Sequence, residues 1–392
     1  MKILHTADWH IGSFKGPEKD GVNLRGEDTM NCLRELVRVA QEKKPELTLV
    51  SGDIFHQAEI WQGRSHREVL QAREIIMKLA EVSENVVVMR GTPNHDSAEA
   101  FAELQAHFEL VPNVEVVTEP KVVNTPYAQI AVLPGFDRGT FRAKFPGLSK
   151  EQENEVFSNE IGNIVAGLRA MCQDESRIAV LMSHYTVPGC NMESGQTQFL
   201  MQFEPVITRE MLLAADYDLV ALGHIHSPQN VGSPKIRYCG TPLKYSFSES
   251  GQQKSVTVVE LLEKGNLEVR EIPLKPLRDM RKLKGTYMEI TSLSNYQDTN
   301  TEDYVQITLT DEEDIVDGMQ KLRTIYPNLM RLEYDNRRTR ENQEITGTEA
   351  VKKKSELEYF EEFFELQNNQ PMNEEQRKFS EDLIRKILEV NL

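Results

Sequence analysis

Five short clusters of metal-ligand residues, each placed where an apolar run ends, constrain this chain more than any other feature. They are Asp8-Trp9-His10, Gly52-Asp53, Asn94-His95-Asp96, His184 and Gly223-His224-Ile225-His226. The runs before them read as short, β-branched strands buried on both faces: Lys2–Thr6, Leu47–Ser51, Asn85–Met89, Ile178–Ser183 and Leu219–Leu222. A sixth strand is expected at Ala128–Leu133. In an open α/β sheet, ligands gather beyond the carboxyl ends of strands. The pattern therefore asks for a fold that brings five distant loops to one edge.

The residue types suit two metals. Asp8, His10, Asp53, Asn94, His184, His224 and His226 offer seven oxygen and nitrogen ligands, and His95 is left over. That is enough for two divalent cations sharing one carboxylate. Carboxylates neutralise the cations, while imidazoles and an amide add ligands without charge that would repel a phosphate. The mixture suits manganese better than calcium, and no thiolate is offered. Two ions ~3.5–4 Å apart hydrolyse phosphate esters by activating water and clamping phosphoryl oxygens. Taken singly, Asp8-x-His10 is a weak signal; five clusters in order are a strong one. His5, inside the first strand, reads as a core or supporting histidine. Trp9 and Phe55 read as packing, and His66 and His107 as surface or interface residues. Tyr185 would serve either structure or substrate.

At 392 residues the chain needs two or more domains. Its 39% hydrophobic and 27% charged content is that of a globular protein, and no apolar run approaches the ~20 residues that span a bilayer. The N-terminus reads as a first strand, not a signal peptide. Cys32, Cys172, Cys190 and Cys239 are far apart and read as free thiols in a reducing cytoplasm. A net charge of −17 argues against a generally basic nucleic-acid coat, so any grip on DNA must be focal or shared with a partner.

Residues 1–275 alternate strand and helix signals, with helices expected near 27–43, 64–82, 97–108, 151–172 and 208–214. Strands follow at Ile236–Cys239, Ser255–Leu262 and Leu267–Ile272, which suggests one sheet made of late strands. From 276 to 340 the pattern changes to a β-β-α-β module: strands at Tyr287–Ile290, Tyr304–Leu309 and Met330–Tyr334 and a helix at 311–325. Basic clusters at 278–284 and 337–340 suit either DNA contact or a solvated face. Residues 341–392 hold a linker and two amphipathic helices, Leu357–Leu366 and Glu374–Val390, with 13 acidic and 7 basic residues. Their apolar stripe (Leu357, Phe360, Phe363, Phe364; Phe379, Leu383, Ile387, Leu388) needs a surface to lie against.

At the ligand clusters the chain resembles the calcineurin-like metallophosphoesterases and, more narrowly, the SbcD family of DNA double-strand-break repair nucleases. The narrower resemblance rests on Leu4-His5-Thr6-Ala7-Asp8-Trp9-His10-Ile11-Gly12, on Gly52-Asp53-Ile54-Phe55-His56 and on the stretch from Tyr304 to Glu313. It implies an α/β fold: a two-sheet sandwich flanked by helices, a small α+β capping domain and a helical tail. It implies one ion on Asp8, His10, Asp53 and His226 and a second on Asp53, Asn94, His184 and His224. His95 would bind no metal and would contact the scissile phosphate or protonate the leaving oxygen, a role typically worth ~10²–10⁴ in rate. Asp96 would be available to orient it, and His56 would position DNA.

The same resemblance implies two Mn²⁺, 3′-to-5′ exonuclease activity on double-stranded ends and endonuclease activity on hairpins or blocked ends. The sequence shows no Gly-x-x-x-x-Gly-Lys-Ser/Thr loop, so ATP gating would come from a partner, the SbcC ATPase, on which the tail would dock. A homodimer within a heterotetramer would pack helices 64–82 and 97–108 as a four-helix bundle. Val69, Ile76, Leu79, Phe101, Leu104 and Phe108 suit that bundle or a monomer core equally. One departure stands out: Gly91-Thr92-Pro93-Asn94-His95-Asp96 is two residues longer than the family's Gly-Asn-His-Asp turn. The rival readings are a phosphoesterase acting on a small phosphodiester or a phosphoprotein, which the module beyond 275 argues against, and a non-enzymatic scaffold, which the complete ligand set argues against.

Overall fold

The computed structural model describes residues 1–57, 66–135, 137–192, 205–263, 266–337 and 339, and in the tail 357, 360, 361, 364 and 372–390. Arg338, Arg340, the linker to Thr348, Phe363 and the side chains of Ile387 and Leu388 lie outside the described residues. Contacts divide the chain into two compact units, one of Met1–Thr308 with Val316–Glu333 and one of Leu309–Ile315 with Tyr334–Leu392.

The first unit is built on two six-stranded sheets. In chain order the strands are β1 (Lys2–Thr6), β2 (Glu18–Lys19), β3 (Val22–Asn23), β4 (Leu47–Ser51), β5 (Asn85–Met89), β6 (Val114–Val117), β7 (Lys121–Asn124), β8 (Ala128–Leu133), β9 (Ile178–Ser183), β10 (Leu219–Leu222), β11 (Gln229–Asn230), β12 (Ile236–Tyr238), β13 (Ser255–Glu263) and β14 (Asn266–Pro273). One sheet has the order β14-β13-β1-β4-β5-β6 and the other β11-β12-β10-β9-β8-β7; β2 and β3 form a separate hairpin. Each large sheet has four parallel strands, β1-β4-β5-β6 or β12-β10-β9-β8; β13 and β14 extend the first antiparallel beyond β1, and β11 and β7 flank the second antiparallel on both sides. The six strands that carry or flank the ligand clusters fall where the hydrophobic pattern puts them. The late strands do not form a sheet of their own: β13 and β14 complete the first sheet and β12 joins the second. Local pattern identifies a strand, but its neighbour is chosen by packing across the whole domain.

Strict alternation makes this a four-layer sandwich. Ile3, Leu49, Val87 and Met89 face Ile130, Val132, Val180 and Ala221 between the sheets. Their neighbours Leu4, Val50, Val86 and Val88 pack outward on helices α1 (Leu24–Lys43), α2 (Arg67–Ala80) and α3 (Ala98–Phe108). The second sheet is covered by α5 (Lys150–Met171), which follows the short α4 (Arg138–Lys144), and by the helix Arg209–Ala215. Val69, Ile76, Leu79, Phe101, Leu104 and Phe108 are all at most 3% exposed in this chain's own core, so they are not free to form a bundle with a second copy.

Beyond Pro276, β15 (Met280–Gly285), β16 (Tyr304–Leu309) and β17 (Leu329–Tyr334) form a three-stranded sheet. The strand expected at Tyr287–Ile290 is a helical turn instead. Thr286 and Glu289 close a reciprocal capping box, and that pairing outweighs the alternating side chains. The helix expected at 311–325 shrinks to Gly318–Arg323, preceded by Asp317 at φ 55°. Part of the first basic cluster is engaged internally: Arg278 pairs with Glu27 and Asp28, and Arg281 with Asp303. In the second unit, Glu374–Val390 is helical as expected. Among the described residues, no helix is long and apolar enough to cross a membrane.

Candidate metal centre

The loops after β1 and β4 are zipped together by their backbones. Asp8 N–H donates to Gly52 O (2.9 Å), His10 N–H to Asp53 O (3.1 Å), Ile11 N–H to Ile54 O (2.8 Å) and His56 N–H to Ile11 O (3.0 Å). Four side chains at the site sit on left-handed backbone: Asp8 (φ 52°), His10 (47°), Asp53 (51°) and His224 (91°). Such conformations cost of order 1–3 kcal/mol each and persist where surrounding structure imposes them, characteristically at functional sites. Gly223 is needed for close approach, because a Cβ there would lie 2.1 Å from the Ser51 carbonyl oxygen.

These strained loops bring the ligands together in two sets. Ligand atoms of Asp8, His10 and His226 lie within 4.8 Å of one another, as do those of Asp53, His184 and His224. His184 Nε2 lies 3.1 Å from Asp53 Oδ2 and 3.8 Å from Asp8 Oδ1, which joins the sets. A third set, His10, His56 and His95, meets the same limit. The donor chemistry fits a pair of divalent ions. Both ring nitrogens of buried His10 have no hydrogen-bond partner among the described residues. Buried orphans of that kind need an explanation, and an ion supplies one. Three ring orientations are also set. Nδ1–H of His184 donates to the Ser51 carbonyl (2.7 Å), that of His95 to the His56 carbonyl (2.6 Å) and that of His226 to Glu249 Oε1 (3.1 Å). In the neutral ring, each bond leaves Nε2 with its lone pair directed away from the acceptor.

Burial and crowding set the charges. Burial, reinforced by His95, holds the His10 pKa well below the usual imidazole range. Burial alone would lower His184 too, but Asp53, Asp8 and the Ser51 carbonyl raise it to about 10. Burial raises Asp8, whereas the adjacent His184 holds Asp53 well below the usual carboxylate range despite its own burial. The opposite shifts of His184 and Asp53 share one physical cause, the attraction between two buried groups 3.1 Å apart. Burial, then His95 and Arg25, lowers His56 to about 4.

Asn94, His95 and Asp96 all lie in the lengthened turn. The inserted Thr92-Pro93 pair makes a tight turn, in which the Thr92 carbonyl accepts from His95 N–H (3.0 Å) and Asp96 N–H (2.7 Å), leaving Asn94 exposed at its tip. Thr92 binds Asp53 Oδ1 through its N–H (2.7 Å) and hydroxyl (3.0 Å). Asn94 lies on the wall of a cavity of about 290 Å³ that His184 and His224 also line. Asp96 does not orient His95. It is fully buried, and its two oxygens accept from the N–H groups of Phe55 (3.0 Å) and Gly91 (2.7 Å). The His56 carbonyl orients His95, whose Nε2 lies 3.9 Å from Asp53 Oδ2. The His56 ring packs on Phe14 at a tilt of 33°, with centroids 3.9 Å apart. Tyr185 is buried, and its carbonyl accepts from Tyr238 Oη. Sequence reasoning missed Thr92, Glu249 and Lys254. The lengthened turn was a signal for Thr92; Glu249 and Lys254 lie in a loop with no ligand pattern.

Residues 1–228 match the family model described as calcineurin-like phosphoesterase. Residues 276–368 match the SbcD_C model, described as Type 5 capsule protein repressor C-terminal domain. The chain is similar to the SbcD polypeptide of the nuclease SbcCD from Staphylococcus epidermidis, 24% identical over 394 residues that cover 99% of each chain. Among solved structures it is similar to a dimetal phosphatase from Danio rerio, at 12% identity over 70% of this chain and 99% of that one (TM-score 0.44). It is also similar to the phosphopantetheinyl hydrolase of Mycobacterium tuberculosis, at 13% identity over 62% and 90% (TM-score 0.34). The chain belongs to the calcineurin-like phosphoesterase family and is a metal-dependent phosphodiester hydrolase. The match to the SbcD_C model at residues 276–368 and the similarity to an SbcD subunit over 99% of the chain extend the resemblance beyond the phosphoesterase domain.

Proposed function

We propose that this protein is a manganese-dependent DNA nuclease, with 3′-to-5′ exonuclease activity on double-stranded ends and endonuclease activity on hairpins or blocked ends. The observation that carries the reading is the pair of ligand sets joined by His184, with His95 facing Asp53. Asp8, His10 and His226, with Asp53, would hold one ion; Asp53, His184 and His224, with Asn94 at the cavity wall, would hold the other. Bound there, the ions would polarise a phosphoryl oxygen and lower the pKa of an attacking water. Thr92 fixes the Asp53 carboxylate through two hydrogen bonds. His95, whose Nε2 faces Asp53, would meet the phosphate and stabilise or protonate the leaving oxygen. His56, its pKa lowered by burial and its ring packed against Phe14, would border the DNA path.

The division into a nuclease domain (1–275), a capping domain (276–340) and a tail (341–392) is part of the same proposal, as are action in the cytoplasm and gating by an SbcC ATPase. The tail supports that partner: Phe360, Phe379 and Leu383 are 42%, 70% and 47% exposed and line an apolar groove of about 460 Å³. A homodimer within a heterotetramer would have to use residues outside the core, such as Leu70, which is 50% exposed on α2. Hairpin DNA and a cyclic nucleotide, each incubated with the protein and manganese, test the activity. Cleavage of the hairpin is expected; hydrolysis of the cyclic nucleotide alone would overturn the nuclease reading.

A further inference from the structure

We infer that Glu249 and Lys254 form a buried positioning dyad for His226 that makes the two ion sites unequal. The inference rests on the two-ion reading above. The side chains of Glu249 and Lys254 are 1% and 3% exposed and 2.7 Å apart. They sit on the loop between β12 and β13, which no ligand cluster marks. Both grip the same histidine: Glu249 Oε1 accepts from His226 Nδ1–H at 3.1 Å, and Lys254 Nζ donates to the His226 carbonyl at 2.9 Å. Glu249 Oε2 accepts in addition from Tyr245 N–H (3.2 Å), and Lys254 donates to Gln252 Oε1 (2.8 Å).

Stability does not account for this pair. Desolvating two charges often outweighs their attraction, and apolar side chains of similar volume serve as well or better. Convergence on one ligand does account for it. The His226 ring and backbone are both fixed, so Nε2 keeps one direction. The acceptors also differ between the sites. His184 donates to a neutral carbonyl, whereas His226 donates to a carboxylate. A carboxylate acceptor makes an imidazole a stronger ligand, and losing such a partner typically lowers metal affinity about 10–100-fold. The ion on Asp8, His10 and His226 is therefore the one the dyad controls.

Manganese titration followed by the spin-resonance signal of the free ion tests this, with inorganic Mn²⁺ as the probe. The parent protein is expected to bind two ions; fewer would overturn the two-ion reading itself. In the Glu249→Gln/Lys254→Met double variant, which leaves no buried charge behind, one ion should bind about 10–100-fold more weakly and the other unchanged. Two unchanged affinities, or equal weakening of both, would overturn the dyad. Should the double variant show no cooperative melt in chelator, Lys254→Gln serves, because it keeps Glu249 on His226. A shift in the affinity of one ion supports the dyad, and no shift in either overturns it.

Discussion

His95 and His184 show how neighbouring imidazoles are given different tasks by what each Nδ1–H meets and how deeply each ring is buried. His184 is fully enclosed and faces two carboxylates. His95 is one-third exposed and faces the same cluster from the solvent side. Replacing His95 by Ser should therefore lower turnover about 10²–10⁴-fold while two Mn²⁺ ions still bind. Since His95 also meets His10 and His56 within ligand range, a variant that lost an ion would make it a ligand. His184 gives a pH signature. Its pKa of about 10 in the metal-free site means that the ring is protonated at neutral pH, so an ion must expel that proton. Mn²⁺ affinity should accordingly rise about tenfold per pH unit between pH 6.5 and 7.5. Chelator-buffered titrations at the two pH values check this; equal affinities would mean that the ring is already neutral without metal.

At the scale of elements, the sequence is readable where local pattern decides the outcome. The six strands beside the ligands are runs of β-branched residues ending in a polar cluster, and both signals are local. The grouping of His226 with Asp8 and His10 follows from chain reversals that no window of sequence contains. Two inserted residues put Asn94 at the tip of a turn, a local change of length that the shared motif does not carry. At Tyr287–Ile290 alternation competes with a capping box, and the Thr286-x-x-Glu289 pairing is the stronger signal. The box is a direct test of which signal dominates. Thr286 Oγ1 accepts from Glu289 N–H (3.3 Å), and Glu289 Oε2 accepts from Thr286 N–H (2.7 Å). Thr286→Ala should lower stability by about 1 kcal/mol in urea unfolding. A stretch held as a strand would scarcely register the change.

For the molecule as a whole, the decisive contact is the one by which the first strands after Pro276 meet the N-terminal end of α1. Leu24 packs with Met280 and Tyr304, and the Arg25 guanidinium lies 5.7 Å from the centre of the Tyr304 ring. Asp28, completely buried, is the centre of the joint: Tyr304 Oη donates to Oδ2 (2.7 Å) and Arg278 Nη1 to Oδ1 (2.6 Å). Arg278, at the start of a cluster that suits either DNA contact or a solvated face, is paired with Glu27 and Asp28. Removing Asp28 leaves a phenol and a guanidinium facing an apolar seam. The loss should be about 3 kcal/mol for Asp28→Ala, at the lower end for a broken buried pair because Arg278 keeps some access to water. Tyr304→Phe, which deprives Asp28 of one donor, should cost about 1–2 kcal/mol. The two effects should not add, since both substitutions break the same hydrogen bond. Thermal unfolding of the single and double variants measures this coupling. If strict additivity were found, Asp28 and Tyr304 would be acting independently, and β15 and β16 would be held by apolar packing alone.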